Sequence, residues 1–279
     1  MTVAIIGVGL IGGSMALALK ESGFAQTIIG VESSAAHGQK ALELGLVDEI
    51  APLEEAVPKA HFVIIAIPVD AIEAVLPKVL DLVKNQIVLE AGSTKSKIIA
   101  LVKNHPKRKQ FVATHPMWGT EYSGPEAAVQ GAFRNKAVVI CNKEESSEEA
   151  VAFTERFYKM LGMHIIYMNA TDHDLHAAYV SHVSHITSFA LANTVLEKER
   201  EESAIFELAS GGFESTVRLA KSNPAMWVPI FQQNRENVLD VLNEHISQLR
   251  KFKACLEKEN YEYLNELIQN ANKISRILK

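Results

Sequence analysis

Cysteine is scarce in this sequence: Cys141 and Cys255 are the two present among 279 residues, and they form no CxxC pair. So few thiols argue against a disulfide framework or a cysteine-rich metal site, and they fit a reducing compartment. Long apolar runs are also missing, since glycine, proline or charge interrupts each one well before the ~20 residues of a membrane span. The first predicted strand begins almost at Met1, so we expect no signal peptide and a cytoplasmic protein.

An excess of positive charge is absent as well. Lysine and arginine number 28 against 33 acidic residues, which gives a formal net charge of −5. This balance argues against a broad nucleic-acid-binding surface. Apolar residues make up 48% and charged residues 22%, as in an ordinary globular protein, and the length favours two domains.

Residues 1–169 alternate short apolar runs with helical patterns, which predicts a parallel sheet with crossover helices. The predicted strands are Val3–Ile6, Thr27–Val31, Phe62–Ile67, Gln86–Leu89, Phe111–Ala113, Ala137–Cys141 and His164–Tyr167. The predicted helices between them are Ile11–Ser22, Ala35–Leu44, Ala71–Val83, Lys95–Asn104 and Ser147–Leu161. The pattern is typical of a Rossmann-like, doubly wound α/β domain.

Residues 170–279 show no further strand pattern. Long helices are predicted instead, at Thr171–Arg200, Glu202–Ser222, Pro224–Leu256 and Tyr261–Leu278. The expected architecture is therefore a doubly wound domain over residues 1–169, followed by an all-helical domain over residues 170–279.

The glycines Gly7, Gly9 and Gly12 follow the first predicted strand and open the first helix, which is the context that a GxGxxG dinucleotide loop requires. In such a loop the first glycine permits the tight turn, the second lets a pyrophosphate approach, and the third allows close packing of helix on strand. The helix amino terminus adds unpaired N–H groups and positive potential. Leu10 and Ile11 lie within the same loop and are candidate cofactor contacts.

Glu32 lies 20 residues after Gly12, at the end of the second strand. A carboxylate there accepts hydrogen bonds from the adenosine ribose and repels a 2′-phosphate, so we expect NAD rather than NADP. Ile67 and Pro68 end the third predicted strand, at the sheet edge where such folds bind ligands. The alternatives are NADP use, or a structural glycine turn with an incidental glutamate.

Two further segments follow strands at this edge. Thr94 and Ser96 are interpreted as helix caps for the segment that begins near Lys95, whereas Ser93 is a candidate site residue. His115 follows the predicted strand Phe111–Ala113. A histidine at this edge is suited to accept the hydroxyl proton as a dehydrogenase removes hydride from the same carbon.

The helical region carries its own candidates. His182 and His185 are three residues apart and share a helix face; a metal site is possible on that spacing, but no third ligand accompanies them, and a polar pocket wall is the preferred interpretation. Arg218 lies in an otherwise apolar helix and needs an anionic partner. That partner would be Glu121, Glu214 or a substrate carboxylate.

Five segments together resemble the prephenate/arogenate dehydrogenase family of tyrosine biosynthesis. They are GVGLIGGS, GSTKS, HPMWGTEYSG, the helix with DHD and SHVSH, and GGFESTVRLAKSNPAMW, in that family's order and approximate spacing. The resemblance covers essentially the whole chain. It implies a Rossmann domain plus a helical dimerisation domain, and therefore a homodimer.

The resemblance also implies the reaction and the residues that carry it. NAD would take hydride from the ring carbon that bears the hydroxyl, and the ring carboxylate would leave as CO2. His115 and Ser93 would contact that hydroxyl. Arg218 would bind a substrate carboxylate, and Glu121 would form an ionic gate with it. The substrate pocket would be lined by His185, Trp227, Thr120 and His182.

One departure leaves the substrate's side chain open. Many relatives carry an aspartate where this chain has Ser215, so selectivity between the keto acid prephenate and the amino acid arogenate does not transfer directly; prephenate is preferred. A 3-hydroxyacid-type dehydrogenase remains an alternative, although it would carry a catalytic lysine on the Thr171–Leu196 helix, where none occurs. A non-catalytic dinucleotide sensor is a third possibility.

Overall fold

The structure, a computed structural model, describes residues 1–199 and 205–277. Its central feature is an eight-stranded sheet with the order β3-β2-β1-β4-β5-β6-β7-β8. The strands are β1 (Thr2–Ile6), β2 (Thr27–Val31), β3 (Glu49–Ile50), β4 (Phe62–Ile65), β5 (Ile87–Glu90), β6 (Phe111–Pro116), β7 (Ala137–Cys141) and β8 (His164–Met168). The predicted seven strands are all present, and the two-residue β3, too short to show a pattern, was missed.

Helices cover both faces of this sheet. Those that follow β1 to β7 are α1 (Leu10–Glu21), α2 (Ala35–Glu43), α3 (Leu53–Lys59), α4 (Val69–Leu82), α5 (Ser96–Leu101) and α6 (Glu148–Met160). The strand β4 shows why two layers are needed. Val63 and Ile65 pack in one apolar core with Leu76 of α4, whereas Phe62 and Ile64 pack in the other. A strand buried on both faces reads as a continuous apolar run, and the doubly wound fold is confirmed.

One strand departs from the predicted parallel arrangement. β7 pairs antiparallel with β6, and His115 lies opposite Val139. The connection between them, residues 117–136, contains a 3-10 turn at Pro125–Ala127 instead of a crossover helix. Because parallel pairing needs a crossover, this chain re-enters the sheet from the edge it left. The start of β7 therefore lies at the carboxyl end of β6.

In the described part of the chain after β8, every regular element is a helix, as predicted. The elements are α7 (Ala170–Ala177), a π-helix (Ala178–His182), α8 (Val183–Glu199), α9 (Gly211–Val217), α10 (Pro224–Gln233), α11 (Arg235–Glu257) and α12 (Tyr261–Asn272). The predicted helix Glu202–Ser222 is reduced to α9, which begins at Gly211, and to 3-10 turns at Phe206–Leu208 and Arg218–Lys221. The predicted helix Pro224–Leu256 is divided at Asn234. Residues 200, 202–204 and 278 of the predicted helices lie outside the described residues.

Two compact units divide the chain by their internal contacts, Met1–Asn234 and Arg235–Lys279. The first holds the sheet together with α1 to α10. The second holds α11 and α12, and its turn is fixed by the Asn260 side chain, which accepts from the Tyr263 N–H at 3.1 Å. No helix within the described residues is long and apolar enough to cross a membrane.

Candidate active site

The glycine loop between β1 and α1 leaves no room for side chains at two positions. Gly7 has φ +88°, and a Cβ there would lie 2.6 Å from the Ala66 carbonyl oxygen and from Ile67. A Cβ at Gly12 would lie 2.0 Å from the Gly7 carbonyl oxygen. Both positions therefore require glycine, and the loop packs directly against the end of β4.

The amino terminus of α1 is open to a ligand. Gly9 is its N-cap, and no side chain caps the first turn. A Cβ at Gly9 would face open space, with the Gly124 nitrogen 4.0 Å away as its nearest neighbour. Uncapped N–H groups at a helix start are suited to bind an anion. This cradle fits the pyrophosphate of a dinucleotide.

Glu32 is half-buried at the end of β2, and backbone groups orient its carboxylate. One oxygen accepts from the Val8 N–H at 3.1 Å, and the other accepts from Ser33 at 3.0 Å and Ser34 at 3.3 Å. A carboxylate has about four acceptor sites, so capacity remains for a ribose hydroxyl. The loop and this acid together fit a dinucleotide that carries no 2′-phosphate.

A cavity of about 440 Å³ opens at the carboxyl edge of the sheet, beside the glycine loop. It brings together eight of the predicted site residues, namely Leu10, Ile11, Ser93, His115, Thr120, His185, Arg218 and Trp227. It does not include Glu121 or His182 among its lining residues. Ile67 and Pro68 lie instead at the end of β4, against the glycine loop.

His115 belongs to a hydrogen-bonded chain that the sequence did not reveal. It lies within β6, not beyond it as predicted, because the strand continues through Pro116. Its Nδ1 lies 2.8 Å from the Nε2 of His173, and the Nδ1 of His173 lies 2.9 Å from the Oδ1 of Asp174. His173 and Asp174 are both buried in α7.

Backbone groups hold Asp174 at the far end of this chain. The N–H groups of Lys95 and Ser96 donate to its two oxygens at 2.8 and 2.9 Å. Asp174 thus caps α5 from another helix, and the predicted capping roles of Thr94 and Ser96 are wrong: Thr94 donates its hydroxyl proton to Gln233. The sequence pattern missed this because the cap comes from a residue far along the chain.

The positions of the protons in this hydrogen-bonded chain follow from the charge of Asp174 at its end. Burial raises the pKa of Asp174, but hydrogen bonds from His173 and Ser96 outweigh it and lower the pKa below its usual value. An ionised Asp174 only accepts, so the Nδ1 of His173 carries a proton and its Nε2 accepts from the Nδ1 of His115. The Nε2 of His115 is then unprotonated.

The charge state of His115 agrees with this assignment. Burial, followed by the charges of His173 and Lys95, lowers the pKa of His115 well below 6.5. Burial also lowers the pKa of His173. His115 is therefore a neutral imidazole at neutral pH, with an acceptor nitrogen free for a substrate in the cavity.

A buried ion pair lies beneath this site. Lys95 and Glu90 are fully buried and bonded to each other, and the Lys95 ammonium also donates to the Thr114 carbonyl at 2.6 Å. Glu90 accepts from the N–H groups of Gly92 at 2.7 Å and Thr114 at 3.2 Å. The pair joins the end of β5 to β6 and so fixes the strand that carries His115.

Arg218 and Glu121 form a salt bridge of 2.8 Å at the cavity mouth. The Arg218 side chain is 51% exposed, and that of Glu121 is 11% exposed. Hydrogen bonds from its own backbone N–H and from Arg218 keep the pKa of Glu121 below its usual value. The guanidinium is thus held at the cavity with donors left over for another anion.

The π-helix Ala178–His182 ends at His182, and His185 follows in the first turn of α8, so the two histidines have different surroundings. Helices of this rare type often occur at functional sites. His185 stacks on Trp227 with ring centroids 3.4 Å apart, and both line the cavity. His182 lies behind that wall, where Asn234 contacts its Nδ1 at 3.1 Å and burial lowers its pKa to about 4.

The indole nitrogen of Trp227 is buried and has no hydrogen-bond partner among the described residues. The same part of the chain holds no cluster of three metal-ligating side chains.

Among the site residues missed from the sequence are His173, Asp174 and Lys136. The first two belong to the DHD segment. The sequence placed this segment at the start of a helix but did not indicate which residues it would contact. Lys136 lines the cavity because β7 runs antiparallel, a direction that the strand pattern alone does not give.

Two family models match adjacent parts of the chain. The model described as prephenate dehydrogenase, nucleotide-binding domain, matches residues 15–167. The model described as prephenate dehydrogenase, dimerization domain, matches residues 169–270. Together they cover most of the sequence.

Individual proteins give the same result. The chain is 32% identical to a prephenate dehydrogenase of Bacillus subtilis (strain 168) over 97% of this chain and 74% of that protein. It superimposes on a prephenate dehydrogenase from A. aeolicus, in complex with hydroxyphenyl propionate and NAD+, with a TM-score of 0.90, 31% identity and coverage of 99% and 97%. A Synechocystis arogenate dehydrogenase matches with a TM-score of 0.76, 26% identity and full coverage of both chains.

Proposed function

Because the chain belongs to the prephenate dehydrogenase family, we propose that it oxidises prephenate with NAD and releases 4-hydroxyphenylpyruvate and CO2. The observation that carries this proposal is the series of hydrogen bonds from Asp174 through His173 to His115. His115 lines the cavity beside the glycine loop. It places an oriented, neutral base next to a dinucleotide cradle.

The cofactor is NAD, which accepts a hydride from the substrate carbon that bears the hydroxyl. Gly7, Gly9 and Gly12 let the pyrophosphate approach the uncapped start of α1, where Leu10 and Ile11 supply N–H groups. Glu32 accepts from the adenosine ribose hydroxyls. Ile67 and Pro68 line the cofactor site at the end of β4.

His115 handles the hydroxyl proton. Its Nε2 accepts the proton as hydride leaves the same carbon, and Ser93 orients the hydroxyl. Loss of the ring carboxylate as CO2 then makes the ring aromatic, and His115 returns the proton to the phenol oxygen. The bonds C–H and C–COO⁻ break, and no net proton is released. His173 and Asp174 hold the His115 imidazole in the tautomer whose Nε2 can accept the proton, much as an aspartate orients the histidine of a catalytic triad.

Arg218 binds a substrate carboxylate, and Glu121 holds the guanidinium in place before the substrate enters. His185 and Trp227 pack against the ring from one side, with Thr120 in the loop above. His182 acts as a positioning residue behind them, since its ring packs edge-on against Trp227 with centroids 6.0 Å apart.

The cavity's charge favours prephenate over arogenate. Among the described residues that line it, Lys136 and Arg218 are cationic and none is an aspartate or glutamate. Prephenate carries two carboxylates and no ammonium, so it matches this lining. Arogenate carries an ammonium that would find no acidic partner there. Arogenate remains the second candidate, because an arogenate dehydrogenase shares the fold over its full length.

In this proposal residues 1–169 bind NAD, and residues 170–279 complete the substrate site and form a homodimer. The dimerization-domain model over residues 169–270 supports the latter. The two cysteines are free thiols, as befits an enzyme of the reducing cytoplasm.

The test is NADH formation with prephenate and arogenate, side by side, each with NAD and with NADP. We expect the highest kcat/KM for prephenate with NAD. Turnover of neither substrate would contradict the function. Faster turnover of arogenate would overturn the choice of substrate, and faster turnover with NADP would overturn the role of Glu32.

A further inference from the structure

Lys136 occupies a defined position relative to His115. In the antiparallel pair of β6 and β7, His115 lies opposite Val139, and the Met117 N–H donates to the Ala137 carbonyl at 2.8 Å just beyond. Lys136 precedes β7 and so lies three strand positions from Val139, which corresponds to ~10 Å along the strand. It lines the same cavity as His115, beyond the end of β6.

The ammonium of Lys136 makes no ion pair or hydrogen bond with another described residue. The residue is exposed, and none of the ion pairs or hydrogen bonds found in residues 1–199 and 205–277 engages its side chain. Arg218, the other cation of the cavity, already contacts Glu121. Lys136 is therefore a free cation in a ligand cavity that lacks acidic lining residues in the described structure.

The proposed substrate presents two anions to these two cations. The ring carbon opposite the hydroxyl carries one carboxylate of prephenate directly and the other at the end of the side chain, so a hydroxyl held by His115 points both away from that histidine. The ring carboxylate leaves as neutral CO2, whereas the side-chain carboxylate keeps its charge throughout. A cation that binds the side-chain carboxylate therefore stabilises the bound substrate and the transition state equally.

We propose that Lys136 binds the side-chain carboxylate of the substrate and selects a keto acid over an amino acid at that position. The proposal rests on the proposed function and names the residue that decides its substrate. In arogenate the ammonium beside the same carboxylate would meet Lys136 with like charge, which disfavours that substrate.

Steady-state kinetics of Lys136→Gln and Lys136→Glu test this role. A charge-assisted contact at an exposed position predicts a KM for prephenate raised about five- to tenfold in Lys136→Gln, with kcat within about twofold. The KM for arogenate changes less, and Lys136→Glu shifts the preference further toward arogenate. The matched control is Lys103→Gln, at an exposed lysine before β6, near the opposite edge of the sheet. Equal effects of Lys136→Gln and Lys103→Gln, or equal losses with both substrates, would overturn the proposal.

A binding measurement separates this proposal from the proposed function. The protein's two tryptophans, Trp118 and Trp227, both line the cavity, so quenching of their fluorescence reports on its occupancy. With NADH present, Lys136→Gln should weaken binding of 3-(4-hydroxyphenyl)propionate about five- to tenfold and leave 4-ethylphenol, which lacks the carboxylate, unchanged. Unchanged binding of both ligands would refute the role of Lys136. If the wild type oxidises neither prephenate nor arogenate, the proposed function fails, while this comparison still decides whether Lys136 binds a carboxylate.

Discussion

At the scale of single residues, the proposed chemistry of this site depends on a tautomer of His115. His115 accepts a proton only through a nitrogen that carries none, and hydrogen bonds to His173 and from there to Asp174 determine which nitrogen that is. A single histidine at this edge would distribute its proton between both nitrogens. These neighbours therefore suit His115 to its proposed role as an oriented base.

His173→Ala should lower kcat about 10- to 100-fold with little change in KM. This loss is part of the ~10²–10⁴-fold rate increase that a positioned general base contributes. The charge of His173 helps to lower the pKa of His115, so the variant's acid limb in kcat/KM should move upward toward pH 6.5. In the wild type, activity should fall only when pH drops through the lowered pKa of His115.

The conservative variant His173→Gln keeps an amide oxygen that can accept from the Nδ1 of His115, and it should retain much more activity than His173→Ala. A merely structural role for His173 predicts otherwise: kcat, KM and stability would deteriorate together, the acid limb would stay in place, and glutamine would give no rescue.

At the scale of elements, much of this site is determined by strand-turn-helix patterns that are local in sequence. The glycine loop, Glu32 and Ser93 were predicted because each directly follows a strand. Residues brought in by distant pairing were not: Lys136 depends on the antiparallel direction of β7, and His173 on the hydrogen bond that joins α7 to β6. The break at Asn234 was missed for a similar reason, since its amide is engaged by the Asp174 carbonyl at 2.7 Å and by His182.

Two helix glycines offer a matched comparison. Gly12→Ala places a Cβ 2.0 Å from the Gly7 carbonyl oxygen, whereas Gly38→Ala in α2 meets only Ile50 atoms at 3.6 Å or more. We expect Gly12→Ala to lose NAD binding and to unfold at lower urea concentration. Gly38→Ala should bind NAD normally and gain up to about 1 kcal/mol from helix propensity. Urea titration and NAD binding measure both effects; equal behaviour of the two variants would contradict the packing argument.

At the scale of the whole molecule, histidines buried as neutral groups make the fold sensitive to acid. Burial lowers the pKa values of His115, His173, His182 and His185, and that of His182 falls to about 4. In the unfolded chain these groups titrate near 6.5. Above that pH both states are neutral, and below it the unfolded chain binds more protons.

The free energy of unfolding should therefore decline as pH falls from about 6.5 toward 4, by about 1.4 kcal/mol per pH unit for each histidine that is protonated only in the unfolded chain. Urea unfolding at a series of pH values measures the decline. His182→Asn should make it shallower, whereas His164→Asn, at an exposed position in β8, should not. A constant free energy of unfolding across this range would contradict the assignment of neutral buried histidines.

The central claim is that this protein removes hydride and carboxylate from one substrate with His115 as the base, and a product balance tests it most directly. Prephenate and NAD are incubated with the wild type and with His115→Asn, and NADH, CO2 and the aromatic product are quantified together. We expect the wild type to yield NADH, CO2 and 4-hydroxyphenylpyruvate in equal amounts, and His115→Asn to bind prephenate but form all three at least about 100-fold more slowly. Release of CO2 without NADH, with phenylpyruvate as the product, or near-normal turnover by His115→Asn would contradict the account.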